Sequence, residues 1–94
     1  MVLSSEELIR YERQLKILGM EKQLKLKKSR VLVVGLGGLG SSSSMYLAGS
    51  GVGTLILVDK DLVELSNLNR QILYTSKDIG RAKVDVAKER LLSL

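Results

Sequence analysis

The feature that most constrains this chain is a short apolar strand that runs directly into a glycine-rich turn. The spacing G-x-G-x-x-G occurs at the end of the segment Val31–Gly40, whose sequence is VLVVGLGGLG. A second apolar run, Thr54–Val58, is followed at once by the acidic residue Asp59. A strand, a glycine turn, a helix and an acid on the next strand together predict a site for a nucleotide, with its phosphates at the helix start and its ribose near the acid.

Each glycine of the turn has a separate task in this pattern. Gly35 permits a tight turn, Gly37 leaves room for a phosphate beside the backbone, and Gly40 lets the following helix pack against the strand. The glycines are not followed by the G-K-[ST] of a P-loop, so the lysine that grips the β- and γ-phosphates there is absent.

Hydrophobic spacing and capping residues predict the elements along the chain. Two helices are expected first, over about 5–18 and 21–26, with Gly19 ending the former. The remaining elements are a strand at 30–35, a helix at 39–50, a strand at 54–59, a turn or short helix at 66–70 and a helix at 81–92. The segment Asp78–Gly80 is expected to cap that last helix.

This element order predicts an α/β fold, because two strands joined through a crossover helix should be parallel. We expect residues 1–29 to form an N-terminal helical segment of one or two helices. Residues 30–94 should form a βαβα unit, the N-terminal portion of a Rossmann-like doubly wound parallel sheet. Such a sheet normally has more strands, so we expect an incomplete domain with a third strand after the last helix.

Composition excludes some kinds of chemistry. The sequence has no Cys and no His, so it offers neither a disulfide, nor a zinc–thiolate site, nor the commonest general base. It also has no signal peptide and no apolar run long enough for a membrane, so we expect a cytoplasmic protein with no membrane partner.

The net charge of +5 is concentrated near the N-terminus, where residues 1–30 hold eight Lys or Arg against four Glu. No aromatic residues interleave with the basic ones, so we interpret them as a solvated face rather than a nucleic-acid site. Attraction to an acidic phosphate ligand or an acidic protein partner is a further possibility. The basic cluster consists of Lys22, Lys25, Lys27, Lys28 and Arg30.

Six segments spread along most of the chain carry a more specific signal than the glycine turn alone. They are Arg10–Gln14, Gly35–Ser41, Gly51–Gly53, Asp59–Glu64, Ser66–Gln71 and Asp78–Lys83. Together they resemble the ThiF/MoeB/HesA family, which are adenylyltransferases of the ubiquitin-activating type. The resemblance implies binding of ATP and Mg²⁺ and adenylation of the C-terminal glycine of a ubiquitin-like or sulfur-carrier protein. Such a reaction depends on positioning and on neutralising phosphate charge.

The resemblance also assigns roles to individual residues. Asp59 would hold the ribose, and Asp61 would lie near the ribose or the metal. Lys83 would reach the phosphates from the start of the last helix, and Arg13 would reach into the ATP site of a partner subunit, which makes a dimer the expected state. The ATP site would be lined by Gly35, Gly37, Gly38 and Gly40, and its phosphates would be faced by Asn67, Arg70 and Gln71.

By the same resemblance, the magnesium-binding aspartate, the paired zinc cysteines and any thioester-forming cysteine would lie beyond residue 94. We therefore expect the chain alone to be inactive, and whether it is an enzyme by itself stays open. Two other functions remain: a fragment of an NAD(P)- or FAD-binding oxidoreductase, and a non-catalytic interaction module. The basic residues Arg13, Arg70 and Lys83 could be ordinary surface cations, and Asp61 and Asn67 could cap turns.

Overall fold

A computed structural model describes residues 2–94 and gives an α/β fold with two parallel strands, as the sequence predicts. The elements in chain order are α1 (Ser5–Arg10), α2 (Glu12–Lys28), β1 (Arg30–Val34), α3 (Gly38–Ser50), β2 (Thr54–Val58) and α4 (Lys83–Leu92). Short 3₁₀ turns at Leu65–Asn67 and Ser76–Asp78 lie between β2 and α4. The strands pair in register, with Arg30 opposite Thr54 and Val34 opposite Val58.

The alternation of side chains along the two strands decides which face is covered. Side chains of one face pack into a core formed with α3, α4 and the segment between β2 and α4. Those of the opposite face are exposed in the part of the chain that the structure describes. The covered residues are Val31, Val33, Leu55 and Leu57, and the exposed ones are Leu32, Val34, Ile56 and Val58.

The N-terminal helices differ from the predicted bounds. The chain leaves helical geometry at Tyr11 (φ −101°, ψ 13°), so the single helix predicted over 5–18 is wrong. The buried ring of Tyr11 explains the break, because it lies against Gly51, at the end of α3. Gly19 has non-helical backbone angles (φ 81°, ψ 165°), so helical geometry stops there, as the sequence predicts for a helix-ending glycine; the helix that follows the kink extends to Lys28.

Two amide side chains, Gln23 and Gln14, fix α2 to the rest of the fold. Gln23 is completely buried and donates a hydrogen bond of 2.9 Å to the carbonyl oxygen of Ser50, the last residue of α3. Gln14 donates to the same oxygen at 2.8 Å and also to the Gln23 side chain. These bonds satisfy a carbonyl that a helix C-terminus leaves without an intrahelical partner.

The last helix begins at Lys83, two residues later than predicted. Residues 80–82 pair instead with the segment 61–63: the Gly80 N–H donates to Val63, and the Val63 N–H donates to Arg81. A helix starting at Arg81 would have to give up these bonds. Asp78 therefore does not cap α4, and its carboxylate closes the preceding turn by accepting from the N–H and hydroxyl of Thr75.

Asp78 also anchors that turn to α4. Its buried carboxylate accepts a hydrogen bond of 2.7 Å from the Arg90 guanidinium. Burial raises the pKa of the Asp78 carboxyl, but the bonds from Thr75 and Arg90 outweigh that effect, so its pKa lies below the ordinary value.

Within residues 2–94, none of the helices has the length and the apolar character that spanning a membrane requires.

Candidate nucleotide-binding site

The glycine turn lies at the carboxyl ends of both strands. Gly35 continues the sheet pairing, because its N–H donates to the carbonyl of Val58 at 2.8 Å, and its φ of +90° then turns the chain away. Gly40 lies so close to this turn that a Cβ atom there would overlap the carbonyl oxygen of Gly35. The two positions therefore require glycine, and α3 begins directly at the turn, at Gly38.

The carboxylate of Asp59 holds this turn in place. One of its oxygens accepts a hydrogen bond of 2.7 Å from the backbone N–H of Leu36, and the other accepts one of 2.7 Å from the N–H of Asp61. The acid thus lies beside the glycine turn, as the sequence predicts. Each carboxylate oxygen has a second lone pair, so these two bonds leave room for hydroxyl donors from a ligand.

Asp61 lies next to Asp59 and links it to α4. Both line a hollow of about 350 Å³ together with Gly35. The side chain of Asp61 is exposed, and its carbonyl oxygen accepts a hydrogen bond of 3.0 Å from the N–H of Lys83. A continuous series of bonds therefore runs from Leu36 through Asp59 and Asp61 to Lys83.

Arg70 and Gln71 cover the other side of the glycine turn. The Nε2 atom of Gln71 lies 3.8 Å from the position that a Cβ would take on Gly37, and the Cδ atom of Arg70 lies 3.9 Å from the same position on Gly38. Gln71 is buried, and its Oε1 atom has no hydrogen-bond partner. A buried acceptor without a partner beside a glycine turn can accept a hydrogen bond from a donor group of a ligand.

Asn67 and Lys83 approach the site in different ways. Asn67 is buried, and its side-chain oxygen accepts from the N–H of Glu64, so it closes the Leu65–Asn67 turn that precedes Arg70. Lys83 is only 5% exposed and is the first residue of α4. The ion pairs that the structure describes within residues 2–94 do not include Lys83. A lysine that forms no ion pair with a carboxylate can contact an anionic ligand.

Arg13 is not brought to this site within the chain. It is exposed on α2, and among residues 2–94 it takes part in no ion pair.

Three hydroxyls of the serine run Ser41–Ser44, near the start of α3, donate to backbone carbonyls rather than accept from the free N–H groups there. Ser42 donates its hydroxyl to the carbonyl of Gly38, and Ser44 donates to the carbonyl of Ser41. Hydroxyls that donate back along the helix leave the first N–H groups of α3 available for another acceptor.

The sequence analysis missed Tyr74. This residue is buried, and its hydroxyl donates a hydrogen bond of 2.7 Å to the carbonyl oxygen of Leu36, in the centre of the glycine turn. No local pattern marks it, because its partner lies 38 positions earlier in the chain.

A second hollow, of about 410 Å³, lies at the opposite ends of the strands, near Gly53 and Leu91. Ligands of open α/β sheets bind at the carboxyl ends, so we place the candidate site at the glycine turn. No group of three or more Asp or Glu side chains that could hold a metal ion occurs among residues 2–94.

Comparison with known proteins shows which family the chain belongs to. The model of the ThiF family matches residues 11–94. The chain belongs to the ThiF family. This match confirms the resemblance found in the sequence, and similar solved structures confirm the Rossmann-like fold.

Three similar proteins are all longer than this chain. "Adenylyltransferase and sulfurtransferase uba4" of Aspergillus clavatus is 57% identical over 98% of the chain, which spans 19% of that relative. "Sulfur carrier protein ThiS adenylyltransferase" of Escherichia coli is 49% identical over 98% of the chain, which spans 38% of it. Among solved structures, Escherichia coli MccB with ATP superposes with a TM-score of 0.85 at 38% identity, covering 96% of this chain and 28% of MccB.

Proposed function

We propose that this chain is the ATP-binding N-terminal part of a cytoplasmic adenylyltransferase. The whole protein would activate the C-terminal glycine of a ubiquitin-like or sulfur-carrier protein. In this proposal residues 1–29 form a helical segment, and residues 30–94 form a partial Rossmann-like βαβα unit. The observation that carries it is the glycine turn, held by Asp59 on one side and covered by Arg70 and Gln71 on the other.

The phosphates would lie against the backbone at the start of α3. The free N–H groups and the helix dipole favour anions there, by about 0.3–1 kcal/mol for an exposed charge. Arg70 has five N–H donors, of which the bonds to Ser66 and Asn69 use only part, so it can also contact a phosphate. Lys83 would add a second positive charge from the start of α4. Together they would neutralise the charge that develops when a carboxylate attacks the α-phosphorus.

The remaining candidates would hold the sugar and close the site. The Asp59 carboxylate would accept hydrogen bonds from the ribose hydroxyls while it retains its bonds to Leu36 and Asp61. Asp61 would lie near the ribose or the metal. The unpaired oxygen of Gln71 would accept a donor of the bound nucleotide or of a water molecule held with it. Asn67 would fix the Leu65–Asn67 turn, which directly precedes the segment with Arg70.

Mg²⁺ would enter with ATP and stabilise charge on the phosphates. We propose that its protein ligands, and any zinc site, come largely from outside residues 2–94. Arg13 would complete the ATP site of a second subunit, which makes a homodimer part of the proposal. The name of the ThiS adenylyltransferase supports a carrier protein as the partner, and that of MccB with ATP supports ATP as the nucleotide.

Nucleotide titration tests the proposal. We expect the chain to bind ATP in the presence of Mg²⁺ and to bind NADH at least tenfold more weakly. Preferential binding of NADH would support the oxidoreductase alternative instead. If the chain bound neither nucleotide at millimolar concentration but still formed oligomers, the result would support a non-catalytic interaction module.

Activity of the whole protein provides the second test. With a carrier protein, ATP–pyrophosphate exchange should fall by orders of magnitude in Arg70→Ala and in Lys83→Ala. The exposed Lys77 lies in the Ser76–Asp78 turn and provides the matched control, since Lys77→Ala should leave exchange unchanged. Unchanged exchange in either site variant would contradict the role assigned to that residue.

A further inference from the structure

Leu36 has both of its backbone polar groups held by side chains from distant parts of the sequence. Its N–H donates to Asp59, and its carbonyl oxygen accepts from the Tyr74 hydroxyl, each at 2.7 Å. The Leu36 side chain is completely buried. The middle of the glycine turn is therefore fixed from two sides, by a residue at the end of β2 and by one in the segment before α4.

The contact with Tyr74 determines where an amide of the turn points. A peptide bond is planar and trans, so the carbonyl of Leu36 and the N–H of Gly37 point in opposite directions in one plane. A hydroxyl that holds the carbonyl therefore also sets the direction of the Gly37 N–H. Within residues 2–94 this N–H donates to no backbone acceptor, and Gly37 is the residue that immediately precedes α3.

Tyr74 is well suited to this task. It is only 4% exposed, so water competes little for its hydroxyl. Burial, with a smaller contribution from the charge of Asp59, raises the pKa of the hydroxyl above its ordinary value, so the group stays protonated and can donate. The Tyr74 N–H also donates to the carbonyl of Gln71 at 3.2 Å, which connects Tyr74 to the segment that covers the glycine turn.

We infer that Tyr74 is a positioning residue for phosphate binding, acting through the Leu36 carbonyl to orient the Gly37 amide. The inference deepens the proposed function and rests on it. Tyr74 does not touch the nucleotide in this account. It keeps the glycine turn in the geometry that binds phosphate before ATP arrives, so the turn does not have to be ordered on binding.

Tyr74→Phe tests this inference, because it removes only the hydroxyl. We expect the Kd for ATP to rise by about 3- to 10-fold, the equivalent of one hydrogen bond, while the Kd for adenosine changes less than twofold. Tyr46→Phe is the matched control: Tyr46 is 78% exposed on α3, and the same chemical change there should alter neither Kd. Both affinities are measured in the same buffer with Mg²⁺.

A purely structural role for Tyr74 would give a different result, since loss of folded protein weakens ATP and adenosine binding by the same factor. If Tyr74→Phe lost affinity for ATP and adenosine equally, or lost none, the inference would be overturned. The proposed function would still stand in that case, provided that the unsubstituted chain bound ATP. If the unsubstituted chain bound neither ligand, the proposed function would fail and the inference with it.

A measurement on the unsubstituted chain gives an independent check. In an amide NMR spectrum, ATP should move the Gly37 resonance, and adenosine should move it much less. A Gly37 resonance that ATP leaves in place would overturn the inference without any variant.

Discussion

The carboxylate of Asp59 and the backbone N–H of Leu36 are 2.7 Å apart, across 23 positions of sequence. An acid at this position is usually considered for its contact with a ribose. Here it also organises the protein, because its second oxygen accepts from Asp61. The residue proposed to bind the sugar therefore also holds the turn proposed to bind the phosphates.

Asp59→Asn should separate these two roles. The amide group has one acceptor oxygen and one NH₂ donor, so either the Leu36 or the Asp61 N–H loses its partner, at a cost of about 1–3 kcal/mol in free energy of unfolding. ATP and 2′-deoxy-ATP should both bind more weakly, and the loss should be larger for ATP. A loss confined to ATP would mean that Asp59 contacts the ribose only. Chemical denaturation and nucleotide titration measure the two effects.

Two glycines of α3 should respond to alanine in opposite directions. Gly40→Ala places a Cβ on the carbonyl oxygen of Gly35, and we expect it to destabilise the fold by about 2 kcal/mol or more. Gly49 lies in the same helix with open space around it, and Gly49→Ala should stabilise by about 0.5–1 kcal/mol. Thermal or urea unfolding of both variants measures the difference. Equal effects would contradict the close packing of α3 on the glycine turn.

Asp78 should make the fold sensitive to acid. Because its folded pKa lies below the ordinary value of 3.8, ionised Asp78 stabilises the fold above that pH, and this stability is lost as pH falls below 3.8. Asp78→Asn should remove this part of the acid dependence and also destabilise the chain at neutral pH. The exposed Asp85 of α4 is the control, since Asp85→Asn should retain the acid dependence. Urea unfolding at pH 7 and pH 3 gives the loss of stability in acid for each variant. An equal loss in Asp78→Asn and Asp85→Asn would refute this assignment.

Arg13 provides a test of the proposed dimer in the whole protein. If Arg13 completes the site of a partner subunit, Arg13→Ala and Lys83→Ala should each be inactive alone, and an exchanged mixture should regain activity. The mixed dimer then contains one site with both residues intact. If Arg13 acted within its own subunit, each site of the mixed dimer would lack one residue, and mixing would restore nothing. ATP–pyrophosphate exchange measures the recovery.

The sequence was sufficient for the parts of the fold that depend on local chemistry. The strand, the glycine turn and the acid on the next strand have spacings that follow from backbone geometry, and Gly35, Gly40 and Asp59 lie where those spacings predict. The family resemblance also directed attention to Arg70 and Gln71, which the structure places against the turn. Their roles toward a nucleotide remain predictions.

The errors occurred where long-range contacts decide the structure. The pairing of residues 61–63 with 80–82 delays the start of α4, and the packing of Tyr11 against Gly51 breaks the first helix. Tyr74 shows the same limitation most clearly. Its hydroxyl bonds to a carbonyl in the glycine turn, and nothing in the sequence around Tyr74 indicates that contact.

An ATP titration monitored by backbone amide NMR tests the central claim most directly. The account predicts that the resonances of residues 36–41, with Asp59 and the Arg70–Gln71 pair, shift most and saturate together. It also predicts little change near Gly53 and Leu91, around the hollow at the other ends of the strands. Shifts concentrated around that second hollow, with the glycine turn unmoved, would contradict the account.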